Sequence, residues 1–249
     1  MATTKTKGIV IKRINLGEAD KILTILTNDR GKIRVVAKGV RKAKAKLGSF
    51  IELFRYNDFL IAEGRNLDII TGATTIDSFK NISLSLSKLG LAYYIAEVVD
   101  RLIEETQDAD QVFSVVYSTL KELNKSDLPL DSLKSFFEFN LLAGLGLRPE
   151  LGRCIVCGKP IDHAKKMAFS SGLGGMLDQE HLFNDSRAHN LNPLEMDLLL
   201  RIGSGQIKEL YETDNLKAAL PIVAKITSEF MDNMIEKNLK SREFLEEVF

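Results

Sequence analysis

The hydrophobic period of this chain changes once, after Ser78, and that change restricts the available folds more than any other feature. Before it, β-branched-rich runs recur at Gly8–Ile14, Lys21–Thr27, Lys32–Ala37, Phe50–Ala62 and Leu67–Ile76. Turn residues separate them at Asn15–Gly17, Asn28–Gly31, Gly39–Gly48 and Glu63–Asn66. Such runs read as strands, and five short strands fit a small barrel of the OB type, whose open face commonly receives single-stranded nucleic acid. The Asn28-Asp29-Arg30-Gly31 link predicts a hairpin, because Asn and Gly tolerate the positive φ of tight turns.

After the change, Ile82, Leu86, Leu89, Tyr93, Ala96 and Leu102 step at helical spacing, with Ser83 or Asn81 available as a cap. Helical patterns continue over Asp110–Leu123 and Leu130–Leu145, and Gly144, Gly146 and Pro149 stop the last of these. Leu151–Asn190 is Gly-rich with little periodicity. Helix signals resume at Asn192-Pro193-Leu194-Glu195, where Asn caps, Pro suits the first turn and Glu reaches back. Two more helices are expected over Leu216–Lys237 and Ser241–Val248, with Pro221 in the first turn of the longer one or at its true start. The expected organisation is a barrel at 1–80, a helical domain at 81–150 and 190–249, and an excursion at 151–189.

The formal charge sums to zero, with 34 basic and 34 acidic side chains in 249 residues, but residues 1–50 carry 13 basic and 3 acidic ones. A polyanion contact is therefore expected on the N-terminal part. Lys38, Arg41, Lys42, Lys44 and Lys46 fall in one acid-free, Gly-bounded loop leaving a strand, where they could track a phosphate backbone with a salt slope of about −0.7 per contact. A merely solvated charged loop is the competing reading; the nearby Lys12, Arg13 and Arg34 weigh against it. Arg34 alternates with Ile33 and Val35 and should face away from the barrel core. Phe50, Phe54, Tyr56 and Phe59 could stack bases, although period-2 alternation assigns most of them to the core. In Gly17-Glu18-Ala19-Asp20 the carboxylates read as turn residues rather than a catalytic pair, with Asp20 bonding backbone amides or pairing with Lys21 or Arg34.

The stretches Gly8-Ile-Val-Ile-Lys-Arg13, Gly17-Glu-Ala-Asp-Lys-Ile-Leu-Thr24 and Gly31-Lys-Ile-Arg-Val-Val-Ala-Lys-Gly-Val-Arg-Lys42 resemble the N-terminal signature of the bacterial RecO family of recombination mediators. Tyr93–Leu102, Glu138–Gly146 with Pro149-Glu150-Leu151, and Cys154-Ile-Val-Cys157-Gly158 follow in the family's order. The resemblance implies an α+β chain: an N-terminal OB-fold β-barrel, then a helical domain with an inserted zinc-ribbon-like hairpin. It further implies binding and annealing of single-stranded DNA, contact with single-strand-binding protein, and partnership with RecR in loading RecA, in the bacterial cytoplasm at the nucleoid. An RNA-binding OB protein would present the same barrel.

Zinc-bearing relatives continue with a second CxxC after a Gly-Gly strand. Here Gly174-Gly175-Met176-Leu177 is followed by Asp178-Gln179-Glu180-His181, so the ligand set implied is Cys154, Cys157, Asp178 and His181, with His163 or His189 as substitutes. One structural zinc ion or none is expected, because an Asp in a closed structural site is unusual. A metal-dependent hydrolase on these residues and a redox CxxC are the alternatives; a pair between helical segments, outside a βαβ pattern, argues against the latter. No P-loop, Gly-x-Gly-x-x-Gly, Gly-x-Ser-x-Gly or His-Glu-x-x-His occurs, so a non-enzymatic protein without a nucleotide cofactor is expected. A hydrophobic content of 45% with 27% charged residues excludes wholesale disorder. No apolar run approaches the roughly 18–20 residues of a membrane span.

Overall fold

The computed structural model describes residues 3–43, 45–105, 109–125, 127–162, 165–212, 215–234 and 241. Its N-terminal strands are β1 (Thr3–Leu16), β2 (Asp20–Thr27), β3 (Lys32–Ala37), β4 (Tyr56–Ala62) and β5 (Asp68–Asp77). They close in the order β1-β2-β3-β5-β4. All pairings are antiparallel except β3 with β5, and β1 joins the two ends by pairing with both β2 and β4. The five-stranded closure is that of an OB-type barrel.

Strand alternation explains which side chains fill it. Val10, Leu23, Ile25, Ile33, Val35, Phe59, Ile61 and Ile70 form the core, while Arg34 faces outward between Ile33 and Val35 as expected. Phe54, Tyr56 and Phe59 are buried, so the aromatic run after the basic loop is chiefly structural. Gly8 sits where β1 pairs with Thr27 on one side and Asn57 on the other. A Cβ there would lie 2.5 Å from Ile25 Cγ2 and 2.9 Å from the Leu26 carbonyl oxygen, so only Gly allows this closure.

Helices α1 (Leu86–Leu102) and α2 (Asp110–Lys125) pack on the barrel. The Tyr117 ring lies against Tyr56 of β4, Phe79 and Phe113. The N-cap of α1 differs from the expectation: residues 80–84 form a 3-10 turn, in which the Ser83 hydroxyl donates to the Lys80 carbonyl, and Ser85 caps the helix. That turn follows Phe79, which is buried with φ 44°; Phe54 is buried with φ 68°. Left-handed backbone at a bulky residue costs about 1–3 kcal/mol and persists only where its surroundings impose it.

The remaining elements are α3 (Leu130–Gly144), β6 (Glu150–Cys154), β7 (Met167–Ser170), β8 (Gly175–Leu177), β9 (His189–Leu191), α4 (Pro193–Gly203) and α5 (Leu216–Met234). The Gly-rich segment forms a four-stranded sheet in the order β6-β8-β7-β9. Strands of three to five residues are too short to display a period in sequence. Asn192, Pro193 and Glu195 form the expected capping box. Pro221 differs from its expected place, lying in the second turn of α5 because the helix already starts at Leu216; the carbonyl it leaves without an amide partner belongs to exposed Lys217. Buried Glu138 of α3 pairs with Lys134 at 3.1 Å and accepts from Thr227 and Ser228 of α5 at 3.2 Å, which keys the two helices together.

Contacts divide the chain into two compact units, Met1–Lys125 with Leu239–Phe249, and Ser126–Asn238. The helical domain expected at 81–150 is thus divided: α1 and α2 go with the barrel, whereas α3 packs with α4 and α5. The aromatic contacts of α2 with β4 are the physical reason. The helix expected at Ser241–Val248 lies outside the described residues beyond Ser241. No helix among the described residues is long and apolar enough to cross a membrane.

Candidate nucleic-acid interface and metal centre

One end of the β2-β3 face is open and forms a groove of about 770 Å³. Its lining includes the apolar side chains of Leu16, Ile22, Val36, Leu67 and Ile69, the cations Lys38 and Arg65, and the acids Asp20 and Glu63. The turn between β1 and β2 forms one wall. There Asp20 Oδ1 accepts from the Gly39 amide at 2.7 Å, the Arg41 amide donates to the Ala19 carbonyl at 3.0 Å, and Arg41 Nη1 donates to the Gly17 carbonyl at 2.5 Å. Asp20 therefore holds the root of the basic loop, the backbone role expected for it. The β4–β5 loop forms the other wall: the Gly64 amide bonds Asp68 Oδ1 at 3.2 Å, and a Cβ at Gly64 would meet the Leu67 carbonyl oxygen at 2.0 Å. These two loops and this face are the parts of an OB barrel that receive oligonucleotides.

The eight basic residues singled out in sequence separate into different surroundings. Lys38, Lys42 and Lys46 are exposed, and none has an ion-pair partner among the described residues. Arg41 is exposed, and among the described residues its guanidinium bonds the Gly17 backbone carbonyl alone. Lys44 lies outside the described residues. Lys12 pairs with Asp100 at 2.5 Å, Arg13 with Glu52 at 2.7 Å and Arg34 with Glu105 at 3.6 Å. Lys32, 7% exposed, joins Lys12 on Asp100, donating to its backbone carbonyl at 2.5 Å. Asp100 and Glu105 lie at the end of α1 and just beyond it, so Lys12, Lys32 and Arg34 fasten this region to the barrel. Sequence reasoning missed Arg65 and the aliphatic groove floor; the Glu63–Asn66 turn signal marked the loop, but not which barrel end it frames.

The second constellation lies on the small sheet. Cys154 ends β6, so the CxxC does follow a strand, and Gly158 turns the chain back, its amide bonding the Cys154 carbonyl at 2.8 Å. Asp178 follows β8 and caps a 3-10 turn over Gln179–Asn184 by accepting from the amides of Glu180 and His181. The ligand atoms of Cys154, Cys157, Asp178 and His181 all lie within 4.8 Å of one another. Tetrahedral zinc with bonds of about 2.0–2.3 Å needs its ligands roughly 3.3–3.8 Å apart, so small side-chain adjustments suffice, and two thiols, an imidazole and a carboxylate are competent donors. The cluster can hold a metal ion.

Cys157 Sγ donates to Asp178 Oδ2 at 3.2 Å, and His181 Nδ1 lies 2.8 Å from Asp178 Oδ1. Desolvation opposes ionisation of Asp178, but the bonds from His181 and Cys157 outweigh it and hold its pKa at about 2. For the Cys157 thiol, the Lys159 amide favours the thiolate, while desolvation and the bonds to Asp178 and Cys154 push its pKa up overall. Of the substitute ligands, His189 instead meets Glu229 at 2.6 Å, and His163 lies outside the described residues. Four protein ligands leave no open position for a reacting water, which disfavours the hydrolase reading.

Comparison with known proteins covers nearly the whole chain. Residues 1–79 match the family described as Recombination protein O N terminal, and residues 83–243 match Recombination protein O C terminal. A DNA repair protein RecO from Roseiflexus sp. is 34% identical over 98% of this chain and 85% of its own length. One from Acetivibrio thermocellus is 30% identical over 97% and 95%, and one from Dehalococcoides mccartyi is 40% identical over 70% and 68%.

Proposed function

The chain belongs to the recombination protein O family, whose relatives are DNA repair proteins, and from that premise we propose that it binds and anneals single-stranded DNA on the groove face of its barrel. The observation that carries the reading is a groove framed by the β1–β2 and β4–β5 loops and lined by Lys38 and Arg65, with exposed Arg41, Lys42 and Lys46 on the loop that leaves it. Among the described residues no aromatic side chain lines this groove, so phosphate neutralisation and aliphatic contact with bases supply the affinity rather than ring stacking. Holding strands on a cationic surface removes part of their mutual repulsion and raises their effective concentration, which speeds pairing with no chemical step and no nucleotide cofactor.

In the cell, at the nucleoid, the protein would act on DNA coated with single-strand-binding protein and work with RecR to load RecA. One structural zinc ion on Cys154, Cys157, Asp178 and His181 would fix the turn after β6 to the turn after β8. The test is annealing of complementary strands coated with single-strand-binding protein, without ATP. Annealing that is lost when Lys38, Arg41, Lys42 and Arg65 are changed to Gln supports the proposal. Annealing unaffected by those changes, or strong preference for RNA in competition, contradicts it.

A further inference from the structure

A second cleft, of about 270 Å³, opens on the same barrel between the end of the β3–β4 connection and the start of α1. Arg13, Arg55 and Lys80 bring three cations to it and Glu52 one acid. Arg13 is engaged by Glu52 at 2.7 Å, whereas Arg55 and Lys80 have no side-chain partner among the described residues. The cleft therefore keeps two uncompensated cations. Its one exposed ring is Tyr93, 41% exposed and held edge-on by buried Phe54 at 5.3 Å and 80°. Both left-handed phenylalanines, Phe54 and Phe79, line it. Phe54 is anchored by its amide to the Val10 carbonyl at 2.8 Å, and Phe79 by its amide to Asp77 Oδ1 at 3.0 Å. Strained backbone thus sets the ring support beside Arg55 on one side and Lys80 on the other.

We propose that this cleft is a second nucleic-acid site, in which one nucleotide of the complementary strand lays its base on Tyr93 and its phosphate between Arg55 and Lys80. Charge complementarity favours a polyanion, and an exposed, immobilised ring beside cations suits a base–phosphate unit better than phosphate alone. The groove offers cations without a ring, whereas the cleft offers a ring with cations, so the two sites hold a strand in different ways. They share β1: Leu16 lines the groove and Arg13 the cleft, about 10 Å apart along the strand and on its alternate faces. The connection that leaves the groove at Lys38 reaches the cleft at Glu52–Arg55. Two strands would thus lie on different faces of one barrel, reached from the two ends of the β3–β4 connection. The inference rests on the annealing reading above and adds the place of the second strand.

The test combines photo-crosslinking with annealing, using the full chain. An oligonucleotide carrying 5-iodouracil is irradiated with excess protein sites filled, and crosslinked peptides are mapped. A crosslink at Tyr93 is expected, lost in Arg55→Gln/Lys80→Gln. Tyr93→Leu and Arg55→Gln/Lys80→Gln should slow annealing about tenfold while single-strand affinity changes less than about twofold, and Tyr93→Phe should anneal as the native chain does. Circular dichroism identifies any variant that fails to fold, and the crosslink on native protein needs no variant. Strand binding and annealing with no crosslink at Tyr93 and native rates in the cleft variants overturn this inference alone. Protection of Tyr93 by an acidic peptide but not by unlabelled oligonucleotide also overturns it. Absence of any single-strand binding overturns the groove reading as well.

Discussion

Two groups of cations on one barrel share strand β3 and meet different fates. Lys32 and Arg34, with Lys12 from β1, reach Asp100 and Glu105 and fasten the end of α1 to the barrel. Lys38, one step beyond the end of the same strand, lines the groove with Arg65, and exposed Arg41, Lys42 and Lys46 follow it along the same loop. A cation paired with a carboxylate has its charge already compensated, so it releases fewer counterions from DNA; an open one offers its full charge. Net charge along a sequence does not separate these cases, because the acids that neutralise the first group lie about seventy residues downstream.

The comparison can be broken from either side. The largest effect is expected at Lys32, whose removal takes the donor from the Asp100 backbone carbonyl and, among the described residues, leaves the Asp100 carboxylate to Lys12 alone. Lys32→Ala should lower unfolding stability by about 2–3 kcal/mol in chemical denaturation while the folded fraction keeps its DNA affinity. Next, changing Arg41, Lys42, Lys44 and Lys46 together to Gln should weaken single-strand binding by about tenfold or more, with stability unchanged within about 0.5 kcal/mol. Metal removal probes a region remote in function from both groups. A strong chelator, or Cys154→Ser, should abolish the expected content of about one zinc per chain and loosen the small sheet by hydrogen exchange, leaving barrel binding intact. The smallest change is expected for Arg34→Gln, an exposed pair at 3.6 Å, at about 0.2–1 kcal/mol of stability with the DNA salt dependence unaltered.

The barrel was legible because its strands are long enough to show alternation. β3 is found at the expected residues, and alternation along β4 sends Phe59 into the barrel core and Tyr56 to the other face, where it is buried against Phe113 and Tyr117 of α2. The small sheet was not, since β8 and β9 span three residues each. Cys154, Cys157, Asp178 and His181 were legible through the resemblance to zinc-bearing relatives, and the fold brings their ligand atoms within 4.8 Å of one another even though the strands that carry them were invisible. The groove was half legible. Its basic loop stood out as a run without acids, but Arg65 lies alone in a short turn, and only closure of the barrel brings that turn opposite Gly17–Asp20. Likewise, Tyr93 reads as one more apolar position of α1 until the fold sets it beside Arg55 and Lys80.

The salt dependence of single-strand affinity tests the central claim most directly. For the native chain, for Lys38, Arg41, Lys42 and Arg65 changed together to Gln, and for Lys12 and Arg34 changed together to Gln, log K is measured against log salt. The open group should lose up to about 3 from the slope, at about 0.7 per contact on a single strand, while the fastened pair leaves it unchanged. A slope reduced by the Lys12 and Arg34 changes but not by the groove set would contradict the account.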